Sequence, residues 1–142
     1  MSRAFLPITR LLGAVGSRAP LRVQTDGSYT IAKARTAVLF YKGPWVYGYV
    51  GTYDDLLDST EAEWQSVCNG IRDAGERSLQ LENDNQEVIR SLQTRRRPKK
   101  ERHAWQFDEI MDLAKGFESL SVRWIPREQN LADHLFRTPE SK

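Results

Sequence analysis

Four acidic residues stand where the chain passes from one element to the next. Asp26 follows the alternating stretch Leu21-Arg22-Val23-Gln24-Thr25 and precedes Gly27. Glu63 falls in the first turn of an amphipathic segment, and Asp84 follows a short apolar stretch. Asp133 falls in the first turn of the last helical segment. Each has a purely local reading. Asp26-Gly27 is a turn pair. Glu63 completes a capping box with Thr60 as N-cap. Asp84 serves as an N-cap and Asp133 as a favourable first-turn charge. Converging carboxylates would do something else. Two unit charges about 5 Å apart repel by roughly 3 kcal/mol at an effective dielectric of about 20. Such a cluster needs a counter-charge, and hard oxygen ligands select Mg²⁺ or Mn²⁺ over zinc. Two ions roughly 4 Å apart suit one phosphodiester, one activating the attacking water and the other stabilising the leaving oxygen.

The elements that would carry these acids follow from periodicity. Leu21, Val23 and Thr25 alternate with polar neighbours as in a strand, which is expected to stop at Gly27. A polar stretch, Tyr29–Arg35, follows. Thr36–Lys42 and Trp45–Tyr53 are rich in β-branched and aromatic residues and flank Gly43-Pro44, so they read as strands joined by a turn. Asp54–Asp58 reads as a loop. Trp64, Val67, Cys68, Ile71 and Ala74 recur at helical spacing and predict a helix over Ser59–Arg77. Ser78–Asn83 reads as a strand, and Asp84-Asn85 opens a helix with Val88, Ile89 and Leu92 inward. Pro98 and its basic neighbours break that helix. Another is expected over Glu101–Phe117, with Phe107, Ile110, Met111, Ala114 and Phe117 on one face. Leu120, Val122 and Trp124 alternate as a final strand. Asn130–Arg137 reads as a last helix, with Leu131 and Leu135 facing inward. The order is βββαβααβα. Tight turns imply an antiparallel meander of three strands, and helical crossovers imply two parallel ones. In such open sheets ligands bind beyond strand ends, where helices begin.

Length and composition fit one domain. The 142 residues are 39% hydrophobic and 28% charged, ordinary for a globular chain. Cys68 is the only cysteine, which excludes an internal disulfide and a four-cysteine zinc site. No apolar run is long enough to span a membrane. The net charge of +2 says little, but its distribution says more. No acid precedes Asp26, whereas Arg3, Arg10, Arg18 and Arg22 do, and Arg95-Arg96-Arg97-Pro98-Lys99-Lys100 forms a second basic run. Both runs suit a polyanion. Residues 1–20 form a basic extension with two competing readings, a mitochondrial targeting segment or an uncleaved leader packing Leu11, Leu12 and Val15 on the domain. The leader reading makes the protein cytoplasmic. The domain is expected over residues 21–138, with a short tail at 139–142.

The same order resembles ribonuclease H of type 1, the ribonuclease HI-like branch of the ribonuclease H-like fold, over roughly residues 21–137. Thr25-Asp26-Gly27-Ser28 is similar to its first motif. Ser59-Thr60-Glu61-Ala62-Glu63-Trp64 is similar to its helix motif, whose second glutamate is the functional one. Asp84-Asn85-Gln86 resembles the third motif, and Asn130-Leu131-Ala132-Asp133 the last. The resemblance implies an α/β fold with a mixed five-stranded sheet flanked by helices. It implies an endonuclease that hydrolyses the RNA strand of RNA/DNA hybrids with two Mg²⁺ ions, Mn²⁺ substituting, and leaves a 5′-phosphate. Asp26, Glu63, Asp84 and Asp133 would hold the metals. Gly27, Ser28, Ser59, Thr60, Asn85 and Gln86 would line the substrate path, and Arg95, Arg96, Arg97, Lys99 and Lys100 would touch the DNA backbone. A monomer is expected.

The sequence also departs from that pattern. The loop Pro126–Asn130 lacks the family's product-release histidine, so Arg127 becomes the candidate in its place. His103 reads as a surface helix residue. Ser59 and Thr60 stand where many members carry asparagines, and the Gly-rich segment and the extra basic helix are missing. The basic run reads equally well as a solvated linker. Two other functions stay open. One is a related nuclease on branched DNA or another RNA-containing duplex. The other is a non-catalytic binding module, which gains nothing from acids clustered near phosphates.

Overall fold

The computed structural model describes residues 20–31 and 33–137. Nearly all of the basic extension, Thr138 and the tail lie outside the described residues. The elements are β1 (Leu21–Thr30), β2 (Lys33–Lys42), β3 (Trp45–Tyr53), α1 (Ser59–Arg72), β4 (Ser78–Asn83), α2 (Gln86–Thr94), α3 (Glu101–Ala114) and β5 (Ser119–Trp124). Two 3₁₀ segments, Arg127–Gln129 and Leu131–Arg137, follow β5. The five strands form one mixed sheet in the order β3-β2-β1-β4-β5. The β1–β2 and β2–β3 pairs are antiparallel, and the β1–β4 and β4–β5 pairs are parallel. This is the expected α/β architecture.

One face of the sheet carries the main core. Val23, Val38, Phe40, Leu79 and Leu81 pack against Trp64, Val67 and Ile71 of α1, Val88 and Ile89 of α2, and Phe107 and Ile110 of α3. Trp64 and Phe107 meet edge to face at 6.1 Å between ring centres, the arrangement that ring quadrupoles favour. On the other face, Ala37 and Leu39 are covered by Ala132, Leu135 and Phe136. No helix among the described residues is long and apolar enough to cross a membrane.

Several local expectations are corrected. β1 does not stop at Gly27. It runs to Thr30, with Asp26 opposite Ala37 and Gly27 opposite Thr36 in the β2 ladder. The bend comes later, at Ile31, whose φ is 49°. The capping box of α1 also lies two residues earlier than expected. Asp58 Oδ1 accepts from the Glu61 N–H at 2.8 Å, and Glu61 Oε1 accepts from the Leu57 N–H at 2.7 Å. Glu63 is thereby free of the cap. Likewise Asn85, and not Asp84, caps α2 by accepting from the Val88 N–H at 3.0 Å.

α1 ends at Arg72 because Asp73 caps it and Gly75 turns the chain at φ 70°. α3 ends at Ala114, where Lys115, Gly116 and Phe117 switch to bonds reaching back only three residues. The last segment is a 3₁₀ helix and not an α-helix. Its period of about three puts Ala132 and Leu135 on one face. Leu131, which only an α-helix would align with Leu135, is left 42% exposed.

Candidate active site

Asp26 projects from the middle of β1, Glu63 from the first turn and a half of α1, and Asp84 from the residue after β4. Carboxylate oxygens of these three residues all lie within 4.8 Å of one another. Two glycines permit this. A Cβ on Gly27 would fall 2.4 Å from the Ala62 carbonyl carbon and the Glu63 nitrogen, so only glycine lets α1 come this close to β1. A Cβ on Gly70 would meet the Thr25 methyl at 2.8 Å.

The acids are held in place by side chains that the sequence reading left out. The Gly27 N–H donates to Asp26 Oδ1 at 3.0 Å and to Glu63 Oε1 at 3.1 Å. Asn83 is fully buried. Its Nδ2 donates to the Thr25 carbonyl at 3.0 Å, to Thr25 Oγ1 at 2.9 Å and to Glu63 Oε1 at 3.2 Å. Its Oδ1 accepts from the Asn85 N–H at 2.7 Å. One amide thus ties together β1, α1 and the start of α2. Asn130 Nδ2 donates to the same Thr25 carbonyl at 2.9 Å. Asn130 was visible only as the first residue of the Asn-x-x-Asp motif. Asn83 carried no signal, because two of its acceptors belong to Thr25, far away in sequence. Trp124 Nε1 donates to the Asp84 carbonyl at 3.0 Å and fixes the chain beyond β4.

Crowding sets the electrostatics. Burial, then the charges of Asp84 and Asp133, push the Asp26 carboxyl up to about 7. Burial, then the charges of Asp26 and Asp84, push Glu63 well above the ordinary carboxyl value, against the Asn83 hydrogen bond. Asp84 is raised by burial, partly offset by an Asn130 hydrogen bond and the Arg127 charge. Three carboxyls raised first by burial and then by neighbouring acids are short of positive charge. Asp26 on β1, Glu63 on α1 and Asp84 just beyond β4 present hard oxygens at a spacing that suits a metal ion.

The other candidates fall into three groups. Asp133 stands beside Asp26, near enough to act on its charge, but outside the tight group of three. Its Oδ2 accepts from Arg137 at 2.5 Å. Arg127 is exposed, and its charge reaches Asp84. Gly27 and Ser28 lie on β1, Ser59 and Thr60 begin α1, and Asn85 and Gln86 begin α2 beside Asp84. The basic run joins α2 to α3, and its members are not equivalent. Arg97 is bound to Asp108 at 2.9 Å and Glu101 at 3.4 Å, whereas Arg95 caps α2 in the left-handed conformation. His103 is not a surface residue: it is 7% exposed, with Nε2 3.4 Å from Asp58 Oδ1.

A mixed sheet in this order, with acids where β1, α1 and β4 meet, defines the ribonuclease H-like fold. The chain matches the family described as reverse transcriptase-like over residues 23–136 and belongs to it. Solved structures of similar fold include ribonuclease H1 of Halobacterium salinarum, with TM-score 0.69, 20% identity, and coverage of 82% of this chain and 94% of that one. The N-terminal ribonuclease H domain of a Mycobacterium tuberculosis protein aligns with TM-score 0.72 and 20% identity over 81% of this chain and 90% of its own. LC11 ribonuclease H1, solved in complex with an RNA/DNA hybrid, gives 0.71 and 18% over 81% and 92%. No curated protein sequence matches this chain significantly.

Proposed function

We propose that this protein is a metal-dependent endonuclease that hydrolyses the RNA strand of RNA/DNA hybrids. The observation that carries the reading is the meeting of Asp26, Glu63 and Asp84 within 4.8 Å, with each carboxyl raised. A structural acid cluster is neutralised by its own cations; here the charge of Arg127 acts on Asp84 and still leaves its carboxyl raised. Asp26, Glu63 and Asp84 would hold divalent ions together with Asp133, two Mg²⁺ ions being expected and Mn²⁺ substituting. Bound there, the ions would supply counter-charge, a nucleophilic water at neutral pH and stabilisation of the leaving oxygen.

The chain supplies positioning. Asn83 and the Gly27 N–H aim Glu63 at the centre, and Asn130 and Trp124 hold the chain around Asp84. An arginine side chain keeps its positive charge, so the part of Arg127 is to attract the scissile phosphate and the more negative product. Ser59 and Thr60 offer hydroxyls to a ribose 2′-OH, the group that separates RNA from DNA. The products are a 5′-phosphate and a 3′-hydroxyl, formed by one water per cleaved bond. A solved complex of LC11 ribonuclease H1 with an RNA/DNA hybrid supports the substrate class. The test uses labelled RNA/DNA hybrid, duplex DNA, duplex RNA and a four-way junction, each with Mg²⁺ or Mn²⁺. Cleavage of the RNA strand of the hybrid alone is expected. An intact hybrid beside a cut junction would replace this reading with a junction nuclease.

A further inference from the structure

A cavity of about 340 Å³ lies where α1, α2, the α2–α3 linker and the start of α3 come together. Trp64 and Pro98 give it apolar walls, and Arg90, Arg96 and Lys99 stand around it. The acid cluster contributes none of its lining. We propose that this cavity is a binding site for a nucleoside 5′-monophosphate unit, either free or at the end of a strand.

Charge is the first support. Nearby cations are already used: Arg97 by Asp108 and Glu101, and Arg102 by Asp58. Arg90, Arg96 and Lys99 have no carboxylate partner among the described residues. Among the described residues Glu87 is the only acid lining the cavity, so the cavity sees an excess of positive charge. Such an excess attracts a phosphate, and the flat guanidinium of arginine both pairs with phosphate and stacks on a base.

Shape is the second support. The cavity is of the size that holds a small ligand and is far too small for a duplex. Inorganic phosphate would leave the apolar wall uncovered, and a nucleoside would leave the cations unmatched. A nucleotide matches both. The linker is also fixed before any ligand arrives. The Arg96 N–H donates to the Ser91 carbonyl at 3.0 Å, and Ser91 Oγ donates to the Arg96 carbonyl at 2.5 Å. A pre-set rim lowers the ordering cost of binding.

Calorimetric titration of the metal-free protein in EDTA tests this, with AMP, adenosine, inorganic phosphate and a short DNA with or without a 5′-phosphate. AMP or the 5′-phosphorylated DNA is expected to bind saturably, at least about tenfold tighter than adenosine or phosphate. Whichever binds tighter identifies the source of the nucleotide. Arg90→Ala/Arg96→Ala, two exposed positions, should weaken that binding at least tenfold, whereas Asp84→Asn should leave it unchanged. Several results would overturn the proposal: no saturable binding, equal binding of adenosine or of phosphate, indifference to the double substitution, or loss in Asp84→Asn. The hybrid assay is separate. Cleavage without nucleotide binding would refute this site alone, and binding without cleavage would refute the nuclease reading alone.

Discussion

Glu82 and Asp84 lie two residues apart, yet the protein treats their charges in opposite ways. Glu82 is fully buried and surrounded by donors. Gln24 and Arg22 reach Oε1 at 3.0 Å, while Gln80 and Arg123 reach Oε2 at 2.9 and 3.1 Å. Burial raises its carboxyl, but these bonds outweigh burial and hold it below the ordinary value. Asp84 meets Asp26 and Glu63 instead, and all three carboxyls rise. Burial alone does not separate the two regions, since it raises both carboxyls. What separates them is whether the chain supplies the counter-charge. Where it does, the acid serves the fold. Where it does not, the carboxyl stays raised.

The largest expected effect separates the two acids directly. Asp84→Asn should lower hybrid cleavage by about a thousandfold, roughly 4 kcal/mol of barrier. It should leave the metal-free melting temperature unchanged or higher, since a like charge is removed. Glu82→Gln should do the reverse and destabilise by about 2 kcal/mol through weakened bonds to charged donors, with kcat of the folded protein kept. Melting curves and single-turnover rates of both variants decide; a stable, inactive Glu82→Gln would erase the distinction.

Glu61 and Glu63 extend the contrast along one helix. Glu63→Gln should cut turnover by about a hundredfold, near 2.7 kcal/mol. Glu61→Gln should retain turnover and cost stability of about 1 kcal/mol at most, because glutamine still serves in the box. Equal effects in the rate assay would return Glu63 to a capping role.

Titration sharpens the comparison. The acid cluster has folded-state pKa values above the unfolded ones, so its stability contribution is full below about pH 4 and is lost as pH rises through about 7, the Asp26 value. Glu82 and Asp58 are lowered, so their contribution is present above the unfolded value and is lost as pH falls through the folded one. In EDTA the melting temperature should therefore fall between about pH 5 and pH 8, and Mg²⁺ should restore it at the upper end. A metal-free melting temperature that rises across that interval would show that the cluster is not short of positive charge.

The smallest effect is assigned to Arg127. Arg127→Ala should slow turnover about tenfold, near 1.4 kcal/mol, without moving the pH profile and with metal affinity unchanged. Metal binding by calorimetry and a pH–rate series check it. Unaltered turnover, or a rate that follows a group titrating near neutral pH, would make Arg127 a bystander.

Alternation in Leu21–Thr25, helical spacing from Trp64 to Ala74 and the turn pair Gly43-Pro44 were enough to set the order of the strands and main helices and the mixed sheet. The reason is that period and turn chemistry are local properties, carried by neighbouring residues. The four acids and their motifs were visible for the same reason. Their arrangement was not. Whether Asp26-Gly27 turns or continues depends on β2, which pairs straight through it. Which glutamate caps α1 depended on a choice between two overlapping boxes, and packing of Gly27 against Ala62 and Glu63 sets where that helix lies. Asn83 became a central residue only when β1, α1 and α2 closed around its amide. The final segment chose a three-residue period because Ala132 and Leu135 together cover Ala37 and Leu39. The short-range pattern of this chain specified the order of its main elements, while contacts between residues far apart in sequence decided which carboxylates meet.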